Sequence, residues 1–147
     1  MGEFLYRAEG RLFPETSRSH LEFRLFLDRD YRGLEIHFAY EPKLLEDPGA
    51  IAPLAAEGRQ RFGLPDAPDP PFLQNLLTLS FDDARGFRGA AHRHPSDQTL
   101  FLGDQPSPGL EAGPVPRGIF RITLSVHAVV TEACTYRLTV RSLGETP

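Results

Sequence analysis

Large apolar side chains recur at every second position in run after run of this chain, and that alternation limits what it can become. In Leu34-Glu35-Ile36-His37-Phe38-Ala39-Tyr40 the residues Leu34, Ile36, Phe38 and Tyr40 share one side, while Glu35, His37 and Ala39 share the other. Successive side chains of an extended chain point to opposite faces, so such a segment buries one face of a sheet and leaves the other in water. Residues 20–27, 119–126 and 134–140 repeat the pattern, and shorter versions lie at 4–13, 76–81 and 99–102. That predicts about seven strands, many rich in β-branched or aromatic residues.

The breaks between these runs are turn-like. Asp28-Arg29-Asp30-Tyr31-Arg32-Gly33 joins two strands and ends on a glycine suited to positive φ. Residues 64–71 carry Pro65, Pro68, Pro70 and Pro71, which predicts an extended segment poor in ladder donors. Residues 103–118 hold four prolines and four glycines, a long loop for a domain of this size. One segment has a different period: Ile51, Leu54, Ala55, Gly58 and Phe62 form a helical stripe. Asp47 is placed to cap it, Pro48 to start it and Gly63 to end it, and Pro53 sits awkwardly inside. The expectation is one short helix near residues 50–62. Many short strands with one inserted helix predict an all-β fold, an antiparallel jelly-roll-like β-sandwich forming a single domain over residues 1–147; a β-barrel is the alternative.

Composition narrows the function. With 147 residues the chain can bury a core without a disulfide or a metal. Sixteen basic and twenty acidic side chains leave a formal charge of −4, which argues against nucleic acid as a partner. No apolar run approaches ~18 residues, so no membrane helix is expected. Met1-Gly2-Glu3-Phe4 does not open as a basic segment followed by an apolar stretch, so no leader is expected. One cysteine, Cys134, cannot make an intrachain disulfide, and a cytoplasmic location is the expectation. The chain has 15 arginines but one lysine, Lys43, and a single asparagine, Asn75. Heat adaptation or a GC-rich genome would each give that bias.

Reactive groups are sparse. His92 and His94 occupy alternate positions, where both imidazoles could chelate a metal from one side of an extended chain. Gly86, six residues ahead, gives this segment the spacing of a first cupin motif, but Gln98 or Thr99 stands where a glutamate belongs, and His127 lacks the frame of a second motif. His92-Arg93-His94-Pro95-Ser96-Asp97 also mimics the opening motif of PHP-type metallohydrolases, with Gln98 in place of glycine and too little chain after it for their barrel. Ser17, Ser19 and His20 lack a nucleophile elbow. Cys134, on an inward face, reads as a buried hydrophobe. Asp82 and Asp83 read as turn caps ahead of calcium ligands. Arg24, Arg121, Arg137 and Arg141 read as solvated sheet faces, and Arg85, Arg88, His92, Arg93 and His94 form a candidate anion-docking cluster. No catalytic, cofactor or metal residue is assigned, and no cofactor is expected.

Three stretches together resemble a known family. They are residues 20–43, closing on Leu-x-Ile-x-Phe-x-Tyr and Glu41-Pro42-Lys43; Asn75-Leu76-Leu77-Thr78-Leu79-Ser80-Phe81-Asp82-Asp83 running into Arg85-Gly86-Phe87-Arg88-Gly89; and Pro108-Gly109, then Gly113-Pro114-Val115-Pro116-Arg117-Gly118-Ile119-Phe120, on to His127. In this order they resemble the N-terminal β-sandwich region of carbaryl-hydrolase-like PHP-type metallohydrolases, over residues 20–140. The family usually has Asp-Pro before Gly-Phe-Arg-Gly, where Ala84-Arg85 stand, and tryptophan at Phe120. Its metal ligands lie in a catalytic domain that these residues do not include. The resemblance therefore implies a non-catalytic sandwich, an accessory or protein-interaction module associated with such an enzyme, with a protein partner or a second copy of the chain across its edge or its 103–118 loop. The alternatives are a cupin-like metal-dependent enzyme using His92 and His94, and a carbohydrate-binding module.

Overall fold

In a computed structural model that describes residues 2–143, the alternating segments form strands. In chain order they are β1 (Phe4–Leu12), β2 (Ser19–Leu27), β3 (Leu34–Glu41), β4 (Leu44–Leu45), helix α1 (Pro48–Phe62), β5 (Leu73–Gln74), β6 (Leu76–Asp83), β7 (Gly86–Ala91), β8 (Asp97–Leu102), β9 (Gly118–Ala128) and β10 (Cys134–Ser142). Eight of the strands make two four-stranded sheets, ordered β1-β10-β3-β8 and β2-β9-β6-β7. Every pairing is antiparallel. With β4 and β5 set aside, the chain crosses from sheet to sheet in the order of a jelly roll, with only β6 and β7 adjacent as a hairpin.

The pleat explains the core. Leu34, Ile36, Phe38 and Tyr40 from β3 are buried against Phe120, Ile122, Leu124 and Val126 from β9 and Leu77, Leu79 and Phe81 from β6. Phe81 stacks on Phe120 with centroids 6.0 Å apart, and Phe38, Tyr40 and Tyr136 form a tilted aromatic row. Cys134 is buried with Leu138 and Val140. A single register slip would turn each of these faces to water, so the buried pattern fixes the pairing.

Between β3 and β6 the chain leaves the sandwich. This excursion holds the β4–β5 pair and α1. The Asp47 carboxylate accepts from Gly49 N at 3.0 Å, Pro48 occupies the first turn, and Gly63 closes the helix at φ 63° with its N–H bonded to the carbonyls of Arg59 and Gln60. The helix thus starts two residues before the expected 50, because the cap set its start and Pro53, at the sixth helical position, costs one backbone hydrogen bond without ending it.

Gly33 is not at positive φ; it is required because a Cβ there would collide with the Leu102 carbonyl oxygen and Leu143. Gly86 opens β7 and Gly89 lies within it, at φ 136° and 121°. No helix among the described residues is long and apolar enough to cross a membrane.

Candidate functional site

The chain's one lysine and one asparagine meet at the base of the excursion. Lys43 follows the cis Glu41–Pro42 peptide at the end of β3, and Asn75 precedes β6. Lys43 Nζ lies 2.7 Å from Tyr40 Oη, 2.9 Å from His94 Nδ1, 2.9 Å from the Asn75 carbonyl and 2.8 Å from the His94 carbonyl. An ammonium only donates, so His94 Nδ1 accepts and its proton resides on Nε2. No carboxylate pairs with this ammonium among the described residues, and burial lowers its pKa. Burial likewise pushes the Tyr40 phenol up to about 12.

Asn75 completes the joint. Its Nδ2 donates to the Pro42 carbonyl and to Thr131 Oγ1, both at 2.8 Å, and its Oδ1 accepts from Val130 N at 2.7 Å. Its backbone N–H donates to the Lys43 carbonyl at 2.9 Å. The amide therefore ties three segments (42–43, 75 and 130–131) with all its side-chain capacity in use, as a fully buried amide requires. Cys134 lies beneath: burial pushes its thiol up to about 11, and the neutral sulfur approaches the Pro42 carbonyl at 3.9 Å. The inward reading of Cys134 holds.

Beside this joint is a shallow cleft of about 350 Å³ on the outer face of the first sheet. Its floor follows from register. Glu9 opposes Arg137, Arg137 opposes Ala39, and Ala39 opposes Asp97. Ala39 is the one small side chain in that row, so the sheet dips there, between Arg137 and Asp97. Glu9, Glu41, Ser96, Thr135 and Lys43 also line the hollow. It offers hydrogen-bonding groups of both signs and no converging nucleophile and base.

The structure disperses the candidate anion cluster. Arg88 is buried: its guanidinium bonds Asp83 Oδ2 at 2.8 Å and the carbonyls of Glu111, Gly113 and Pro114, each at 2.9 Å. Asp83 is a turn cap as expected, its Oδ1 accepting from Arg85 N and Gly86 N. His94 belongs to the Lys43 joint, while His92 and Arg93 line a separate opening, so the two imidazoles of the His-x-His pair have different neighbours. His127 bonds Thr78 Oγ1 at 2.7 Å on the outer face of the other sheet. Among the described residues no three His, Cys, Asp or Glu side chains gather as a metal site. Ser17, Ser19 and His20 each have local partners: Val129 N, the Thr16 carbonyl and Ser125 Oγ. Arg24 and Arg121 face each other across β2 and β9 and share Glu22, on the solvated face expected of them. Lys43, Asn75 and the buried Arg88 were not recognised as structural anchors from sequence; the rarity of Lys and Asn was the available signal.

The fold places the chain among antiparallel jelly-roll β-sandwiches. No family model and no curated protein matches it. Among solved structures, it is similar to a protein from Sulfurospirillum deleyianum at 6% identity and TM-score 0.33, over 91% of this chain and 96% of that one. It is also similar to part of a family GH115 4-O-methyl-α-glucuronidase with specificity for decorated arabinogalactans, at 11% identity and TM-score 0.38. That match covers 98% of this chain and 16% of the glucuronidase. At these scores neither likeness bears on function.

Proposed function

We propose that this chain is a non-catalytic β-sandwich accessory module whose partner is a PHP-type metallohydrolase, held through the β4–α1–β5 excursion. One observation carries this reading. Exposed large apolar side chains concentrate on the excursion: Leu44, Leu54, Phe62, Leu64 and Phe72, with Phe62 73% exposed. Within α1 only Ile51 is buried, Ala55 and Gly58 are half-buried, and the two large residues left in its apolar stripe, Leu54 and Phe62, face outward. Grouped exposed apolar surface of this kind marks interaction sites. Charge supports a protein partner over a lipid surface. Between residues 44 and 72 stand Glu46, Asp47, Glu57, Asp66 and Asp69 against Arg59 and Arg61, net −3 of the chain's −4. An acidic rim repels anionic headgroups and suits a partner with basic residues around an apolar patch. The resemblance of residues 20–140 supplies the class of partner to try.

The test mixes the purified chain with the PHP-type metallohydrolase of the same organism and follows binding by titration calorimetry. The expected result is a saturable complex, weakened at least tenfold by Phe62→Ser with Leu54→Ser and strengthened at low salt. No complex, or one indifferent to both substitutions, would overturn the proposal.

A further inference from the structure

Independently of that reading, we infer a binding site for a small apolar monocarboxylic acid in the slot between the edge strands β7 and β8. These strands end the two sheets on the same side, so the sandwich opens between them. The opening is about 200 Å³ and is lined by Ala91 from β7, Gln98 and Leu100 from β8, Pro108 and Gly109 from the covering loop, and His92 and Arg93 at its edge.

Three features give the slot its chemistry. First, its wall is apolar at Ala91, Leu100 and Pro108, and Ala91 and Leu100 are themselves buried. Second, Gln98 sits at an inward position of β8, in step with Leu100 and Leu102, and its Nε2 is buried with no hydrogen-bond partner among the described residues. A buried amide donor without an acceptor is costly, and native proteins rarely keep one without a use. Third, the exposed residues at the edge are a guanidinium and an imidazole, with no carboxylate among the lining residues. An apolar pocket with one inward donor and a cationic edge fits a molecule with an apolar body and an anionic acceptor end. The carboxylate would accept from Gln98 Nε2 and gain a charge-assisted contact from Arg93. The slot is too small for a folded partner, and it lies apart from the α1 excursion.

Benzoate and its neutral counterpart benzamide test this, by following the side-chain amide signals of Gln98 in ¹⁵N-labelled protein. Benzoate should shift the Gln98 amide saturably and bind at least tenfold more tightly than benzamide. Arg93→Ala should weaken benzoate about tenfold and leave benzamide unchanged. Gln98→Leu, which removes the orphan donor and retains an apolar wall, should abolish benzoate binding as read from the backbone amide signals of Ala91 and Leu100 in the same slot; Gln98→Met takes its place if that variant does not fold. No saturable shift with benzoate, or undiminished binding to the folded Gln98 variant, overturns the inference. Equal affinity for benzoate and benzamide overturns it too, because the slot would then be selecting shape and not charge.

Discussion

Arg88 and Asp83 form a buried ion pair, 2.8 Å from guanidinium to carboxylate, at the β6–β7 turn. The pair is the inner anchor of a much longer segment. The remaining guanidinium donors hold the carbonyls of Glu111, Gly113 and Pro114, and Glu111 N returns a bond to the Arg88 carbonyl at 2.8 Å. The 103–118 loop is thereby fixed to β7 by the Arg88 side chain together with backbone pairing, and Tyr31 and Val115 secure its far end by exchanging two backbone hydrogen bonds.

Removing either member of this pair leaves an unmatched buried charge. Arg88→Met and Asp83→Asn should each destabilise the fold by about 3–5 kcal/mol in urea unfolding. Arg88→Lys should not restore it, because an ammonium cannot span a carboxylate and three carbonyls as a planar fork does. Arg88→Met should also speed trypsin cleavage after Arg117. A loss under about 0.5 kcal/mol would show that the loop is held by its backbone alone.

The Lys43 ammonium is held by neutral acceptors in a partly buried joint, and burial draws its pKa below the ordinary 10.5. Because the folded pKa is the lower one, the unfolded chain binds more protons between the two values. The contribution of Lys43 to stability therefore rises with pH across that window. The chain has no second lysine, so a ¹³C label at Lys43 Cε reads it directly. A titration midpoint below 10.5 is expected; one at or above it would place the ammonium in water. Lys43→Met should cost about 1–3 kcal/mol, by leaving the Asn75 carbonyl and His94 Nδ1 short of a donor while Tyr40 Oη still serves the His94 carbonyl.

Cys134 works in the opposite direction. Its thiol is pushed up to about 11 by burial, from an ordinary value of 9.0. From pH 9 upward the unfolded chain ionises this thiol while the folded one does not. The contribution of this thiol should then fall by about 1.4 kcal/mol per pH unit between pH 9 and 11, against the rise that Lys43 supplies. Cys134→Ala should flatten that part of the urea-midpoint profile. At pH 8 the buried thiol should also resist a thiol reagent that labels the unfolded chain at once.

How far the sequence revealed this depends on what each residue does. All seven expected strands are present, because their inward faces carry large apolar residues that repeat every second position, as in Leu34, Ile36, Phe38 and Tyr40. Strand β7 was missed. Its six residues, Gly-Phe-Arg-Gly-Ala-Ala, place a buried arginine and small side chains inward and Phe87 outward, which inverts the usual signal. The two-residue strands β4 and β5 are too short to carry any period. Charged residues close in sequence, such as Arg88 and His94, looked like one patch. Their separation follows from pleat direction and long-range bonds to Asp83 and Lys43, which a local reading does not contain.

Two glycines separate backbone need from tolerance. Gly89 has φ 121°, and a Cβ there would run into the Gly109 carbonyl oxygen of the covering loop. Gly109 is equally pressed, against the Ala90 carbonyl oxygen. The two segments meet backbone to backbone, and the Gly89–Leu110 bridge depends on it. Gly58, inside α1, has nothing within 4 Å of its would-be Cβ. Gly58→Ala should stabilise the fold by about 0.5–1 kcal/mol, through better helix propensity and a less mobile unfolded chain. Gly89→Ala should destabilise it by roughly 2 kcal/mol or more, from strain at positive φ together with displacement of the loop. Thermal unfolding of both variants beside the parent gives the two signs. If Gly89→Ala matched the parent, the close approach of β7 and the 103–118 loop would be refuted.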